Sequence, residues 1–95
     1  MAAYVIADLE VKDAAAFEEY RKQAPGTIEK YGGRYIARGG ATEALEGAWR
    51  PRRLVILEFP SLAAARRWYD SEEYRAPKAL RQRAAVTNLV LVEGL

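Results

Sequence analysis

The 95-residue chain contains no cysteine and no histidine. Without cysteine there is no disulfide framework and no thiolate nucleophile. Zinc, copper and iron–sulfur sites lose their usual ligands, and neither a Ser-His-Asp nor a Cys-His pair can form. Any general acid or base must be Asp, Glu, Tyr or Lys. No cofactor and no metal is expected. Long hydrophobic runs are also missing. None approaches the ~20 residues that span a bilayer, and no signal-peptide core precedes the first strand. The expectation is a soluble, cytoplasmic protein with no membrane partner. An excess of one charge sign is absent as well. The net charge of +2 is spread through interleaved acids and bases, which does not mark a nucleic-acid binder.

The length fits one domain over residues 1–95. A chain of this size buries roughly 60–68% of its unfolded surface, so self-association is a natural way to bury more.

What the chain does have is a repeated strand–helix unit. Tyr4 to Tyr20 reads YVIADLEVKDAAAFEEY, and Leu54 to Tyr74 reads LVILEFPSLAAARRWYDSEEY. Ala3 to Val11 alternates, with Val5, Ala7, Leu9 and Val11 on one side and Tyr4, Ile6, Asp8 and Glu10 on the other. Asp13 is a candidate N-cap. Ala14, Phe17, Tyr20, Ala24 and Ile28 then form an apolar helical stripe. Pro25-Gly26 predicts a kink or restart in it, because proline lacks a donor and crowds the carbonyl of Arg21. Gly32-Gly33 ends the helix.

A second strand is predicted from Arg34 to Ala37, with a bulge or close approach at Gly39-Gly40 and a resumption over 42–45. Residues 46–51 form a turn with Trp49 at its tip. The third strand covers Arg52 to Phe59. Ser61 caps the next helix and Ser71 another. Pro77 predicts a break, then a short helix to about Ala84. Val86 to Glu93 is the last strand.

This order, β-α-β-β-α-β, is the ferredoxin-like pattern of an α+β domain. Its strand order is 4-1-3-2, antiparallel throughout, with both helical segments on one face. Tyr4, Ile6, Leu54 and Ile56 then line the other face. Burying four such side chains contributes several kcal/mol at ~25 cal/mol per Å². A homodimer joined through that open face is the expected partner arrangement.

The same residues also resemble a known family. YVIADLEVKD, KYGGRYIARGG, LEGAW, the Leu54–Tyr74 stretch and the closing LVEG are similar, in that order, to the family called domain of unknown function 1330. The resemblance runs from about Tyr4 to Gly94. Matching positions are Tyr20, Gly32, Gly33, Arg38, Gly39, Gly40, Glu46, Gly47, Glu58, Phe59, Pro60, Trp68, Tyr69, Ser71, Tyr74, Arg81 and Glu93. The resemblance implies a dimeric α/β barrel built from two ferredoxin-like protomers. It implies no set reaction, since related families include cofactor-independent monooxygenases, haem-degrading enzymes, isomerases and binding proteins. Glu72 departs from the family's usual proline. The absence of histidine argues against haem chemistry.

Several residues are candidates for function. Glu58 lies between Leu57 and Phe59, where a carboxylate needs a partner. It reads either as a register-fixing ion pair with Arg34 or as a buried general base. Asp8 has Arg52 within reach, at the opposite end of the sheet from Glu58, which excludes a paired-carboxylate mechanism. Arg38-Gly39-Gly40 reads either as an anion fork beside an approachable backbone or as a bulge for dimer closure. Tyr20, Trp68, Tyr69 and Tyr74 form an aromatic group. It is either core or, with Arg81, the wall of a pocket for a small planar ligand. Trp49 is placed to anchor a partner or cover a pocket mouth.

Two functions follow. One is a cofactor-independent enzyme for a small acidic or aromatic molecule, with Glu58 or Tyr69 moving a proton and Tyr20, Arg38, Trp68, Tyr74 and Arg81 binding. The other is a non-catalytic dimer that binds a metabolite or a protein. RNA binding fails, because RRLVILEF lacks the glycine and aromatic positions that stack bases.

Overall fold

The structure is a computed structural model describing residues 1–95. Its elements are β1 (Ala3–Val11), α1 (Ala14–Lys30), β2 (Arg34–Arg38), β3 (Leu54–Phe59), α2 (Leu62–Tyr69), α3 (Glu72–Ala84) and β4 (Ala85–Glu93). The strands form one antiparallel sheet in the order β2-β3-β1-β4. That is the ferredoxin-like topology expected from the element order. No helix is long and apolar enough to cross a membrane.

Alternation along β1 decides which face meets the helices. Ala3, Val5, Ala7 and Leu9 are buried beneath them. With Leu57, Phe59, Ile28, Trp68 and Tyr74 they make the core. Each helix starts on its anticipated cap, with Asp13, Ser61 and Ser71 side chains accepting from the amides of Ala16, Ala64 and Tyr74. The α1 end is a Schellman turn. Gly32 takes φ +81° and its amide bonds Glu29 O, while the Gly33 amide bonds Ile28 O. Gly33 also has no room for a side chain, since an added Cβ would lie 2.5 Å from the Phe59 ring.

Three local expectations are corrected and a fourth is resolved. Pro25 causes no restart of α1, which runs unbroken for 17 residues. Ala24 and Ile28 on either side are fully buried, and that packing outweighs the ~3 kcal/mol proline penalty. The Arg21 carbonyl, deprived of its helical donor, receives Arg38 Nη2 at 3.5 Å. Pro77 likewise sits inside a continuous α3, itself buried between Tyr74 and Arg81. Residues 42–45 form no strand and are exposed. Finally, the bulge in β2 lies at Ile36, between Tyr35 and Ala37, whereas Gly39 is the close approach, its amide bonding Leu54 O at 2.8 Å.

That bulge changes which way Arg38 points. Arg34 pairs with Glu58, and Tyr35 pairs with Leu57. Strict alternation would then put Arg38 on the same face as Arg34. With Ile36 as the extra residue, Ala37 pairs with Ile56 and Arg38 with Val55. Arg38 is thereby carried to the helix-covered face.

The opposite face is uncovered in the protomer. Ile6 lies between Ile56 and Val90 in register, and Tyr4 lies beside Val92. Val86, Val90, Val92 and Ile36 are between 46% and 58% exposed.

Candidate functional site

A cavity of about 40 Å³ lies between the sheet and the helices. Its floor is Val5, Ala7 and Leu9 of β1, with Val55, Leu57 and Leu89 of the neighbouring strands. Its walls include Phe17, Tyr20, Tyr35, Trp68 and Tyr74. The polar lining consists of tyrosine hydroxyls and four arginines: Arg21, Arg38, Arg53 and Arg81. No carboxylate lines it.

The deep end is held by α1 and α3. Three- and four-residue spacing puts Phe17, Tyr20, Ala24 and Ile28 on one face of α1, and seven-residue spacing puts Tyr74 and Arg81 on one face of α3. The Tyr20 and Tyr74 hydroxyl oxygens are 2.8 Å apart, and Arg81 Nε donates to Tyr74 Oη at 3.3 Å. The tyrosine pair has two hydroxyl hydrogens and uses one between the rings. The other is left to donate elsewhere. Burial, then the neighbouring Tyr74, pushes the Tyr20 phenol well above its ordinary pKa, and burial raises Tyr35 too. Both therefore stay neutral and keep a hydroxyl hydrogen to donate. Arg81 is 4% exposed and has no carboxylate partner.

Trp68 closes the apolar side. Its ring centroid is 4.1 Å from that of Tyr74 and 5.3 Å from that of Phe59. Its indole Nε1 donates to Thr27 Oγ1 at 3.0 Å, and Thr27 Oγ1 donates in turn to Ala24 O. The aromatic group thus belongs to the core and walls the cavity at once.

At the mouth, Arg38 lies 4.3 Å over the Tyr35 ring and Arg53 lies 5.4 Å over Phe17. Arg21 pairs with Glu18 at 3.1 Å. Burial, then the nearby Arg21 and Arg38 charges, lowers the pKa of Arg53.

Five of the candidates from the sequence line this cavity: Tyr20, Arg38, Trp68, Tyr74 and Arg81. Two lie elsewhere. Glu58 is on the open face, where Arg34 Nη2 approaches it to 2.7 Å. Tyr69 lies outside the cavity, with Lys78 Nζ 4.1 Å over its ring. Asp8 differs from expectation in its partners. Its oxygens accept from the Arg52 backbone amide and from Trp49 Nε1, both at 2.9 Å, while the Arg52 guanidinium turns to Glu10. Trp49 bonds this end of the open face, not the cavity mouth. Arg21 and Arg53 were not singled out from the sequence. Arg53 lies two residues before Val55 and shares its side of the sheet, but only the bulge brings Arg38 to meet it.

The fold and the site describe a ferredoxin-like α/β protomer with one sheet face bare and an arginine-rimmed cavity under its helices. The chain belongs to the family described as Domain of unknown function (DUF1330), which matches residues 2–95. No curated protein matches it. Among solved structures it is similar to RPA0582, a protein of unknown function from Rhodopseudomonas palustris. That match has a TM-score of 0.79 and 22% identity, and covers 99% of this chain and 82% of that one. It is also similar to SnoaB, a cofactor-independent oxygenase from Streptomyces nogalater (TM-score 0.69, 11% identity, 99% and 93% covered). A dimeric ferredoxin-like protein of unknown function from Jannaschia sp. CCS1 matches at TM-score 0.67 and 13% identity, covering 99% of this chain and all of that one. These superpositions show a shared fold and nothing finer.

Proposed function

We propose that the chain is a homodimeric binding protein for a small, largely apolar molecule carrying an oxygen function. The ligand's apolar part lies beside Trp68 in the cavity, its oxygen meets Tyr20, Tyr74 and Arg81, and Arg38 stands at the mouth. The observation that carries this reading is the buried Arg81–Tyr74–Tyr20 chain, which has a cation without a carboxylate and a hydroxyl hydrogen to spare. Buried polar groups ordinarily find partners, and a ligand oxygen supplies one here. In volume, water occupancy needs roughly 10–15 Å³, so 40 Å³ suits a fragment of a few heavy atoms rather than a multi-ring compound.

Pairing through the open sheet face completes the reading. The exposed valines and Ile36 there favour a second copy, and the dimeric solved relatives are in keeping with it.

A second reading is a cofactor-independent enzyme, favoured by the likeness to SnoaB and by Arg81, which would stabilise negative charge on a reacting oxygen. No carboxylate lines the cavity walls to serve as its base, and burial holds the Tyr20 and Tyr35 phenols neutral. Binding without turnover is therefore preferred.

The test is ligand-detected NMR on a panel of small acids and neutral aromatics, with Ala7→Leu as the cavity-filling variant. Fragments that bind the parent and not the variant support the cavity. Equal binding to both, or no binding to either, removes it. Consumption of any bound fragment would favour the enzyme instead.

A further inference from the structure

We propose that Arg38 and Arg53, with Arg21 beside them, form a carboxylate-binding rim, and that the ligand is a small carboxylic acid whose apolar body enters the cavity and carries there the second oxygen that meets Tyr20, Tyr74 and Arg81. This deepens the cavity reading above and rests on it.

Three guanidinium groups reach one mouth from three elements: Arg21 from α1, Arg38 from the end of β2, and Arg53 from just before β3. Only Arg21 has a carboxylate partner, Glu18. Arg38 and Arg53 have none within 4 Å. The Nε atoms of Arg21 and Arg53 are buried and without an acceptor. Uncompensated like charges repel, and half-buried ones repel more because water screens them less. A fold that gathers them leaves room for an anion to relieve the repulsion.

The backbone is also shaped around the cluster. Gly39 takes φ +70°, and its amide bonds Leu54 O at 2.8 Å. An added Cβ there would sit 2.6 Å from Arg53 Nη1. Only glycine leaves that space to the guanidinium.

The ligand class follows from the two halves of the site. Guanidinium forks bind carboxylates bidentately. Behind them, twelve of the sixteen lining residues are hydrophobic. A bare inorganic anion would satisfy the rim and leave this apolar interior unfilled. A short carboxylic acid fills both.

The experiment is thermal unfolding of the parent, Arg53→Gln, Arg38→Gln and Arg53→Lys. Each is titrated with butanoate, which carries the carboxylate and the apolar body without the second oxygen and so probes the rim, and with butanamide, its neutral isostere, at ionic strength held constant with sodium chloride. Butanoate is expected to raise the parent's Tm and butanamide is not. In Arg53→Gln and Arg38→Gln the half-saturating concentration should rise at least tenfold. Arg53→Lys should keep a weakened response, having the charge without the fork.

Equal effects of butanoate and butanamide would overturn the rim, as would an unchanged response in the glutamine variants. No response to butanoate in the parent would overturn it too. Failure of the cavity itself reads out separately, as fragment binding that survives Ala7→Leu.

Discussion

Val90→Asp is the perturbation that bears hardest on the proposed dimer. Val90 sits opposite Ile6 at the middle of the open face and is 58% exposed in the protomer. Burying a whole valine contributes about 1.5–3 kcal/mol, so covering its exposed portion contributes about 1 kcal/mol per copy. A two-fold interface counts each substitution twice, giving about 2 kcal/mol, or roughly 30-fold in dissociation constant. Two aspartates desolvated in that interface add to the loss. The protomer should keep its fold, because the side chain is on the bare face and outside the core. Sedimentation equilibrium measures the constant, and circular dichroism checks the fold. A parent that sediments as a monomer at micromolar concentration would refute the reasoning. So would a folded variant that dimerises as tightly as the parent.

Two further outcomes follow from single contacts. The Trp49 indole bond, foremost, holds Asp8 below its ordinary pKa of 3.8, with the Arg52 and Arg53 amides and the Arg52 charge adding to the effect. The bond therefore contributes stability above the unfolded-state pKa and loses it as pH falls through the lower folded value. Trp49 fluorescence should change in that acid range, and Asp8→Asn should abolish the transition; a transition that persists in the variant would assign it elsewhere. Gly33→Ala should destabilise by about 1–3 kcal/mol, the cost of overpacking, because its Cβ would meet the Phe59 ring at 2.5 Å and Ile28 at 2.8 Å. An unchanged midpoint in urea would contradict that crowding.

The parts of the fold that depend on period and caps were legible in the sequence. β1 shows its two faces by alternation, and Asp13, Ser61 and Ser71 mark the helix starts. The Arg34–Glu58 pair also followed, because antiparallel order sets the end of β3 beside the start of β2. The continuity of α1 and α3 was not legible. Local chemistry at Pro25 and Pro77 argues for breaks, and tertiary burial of their neighbours overrides it. The arginine rim was half hidden for a different reason. A bulge at Ile36 leaves no mark in RYIAR, yet it decides that Arg38 faces the helices and meets Arg53. Tyr20, Trp68, Tyr74 and Arg81 were visible as an aromatic group with a cation. Their hydroxyl chain depends on α1 packing against α3, which spacing along either helix does not reveal.

The two tryptophans allow a direct test of the cavity, because they report from different places. Trp68 walls it, with its indole bonded to Thr27, whereas Trp49 bonds Asp8 outside it. In an 15N-correlated NMR spectrum each indole N–H gives its own signal. Titration with butanoate should move the Trp68 signal in a saturable way and leave that of Trp49 in place. A Trp68 signal that stays fixed while the acid reaches saturating concentration would contradict a ligand site between the helices and the sheet.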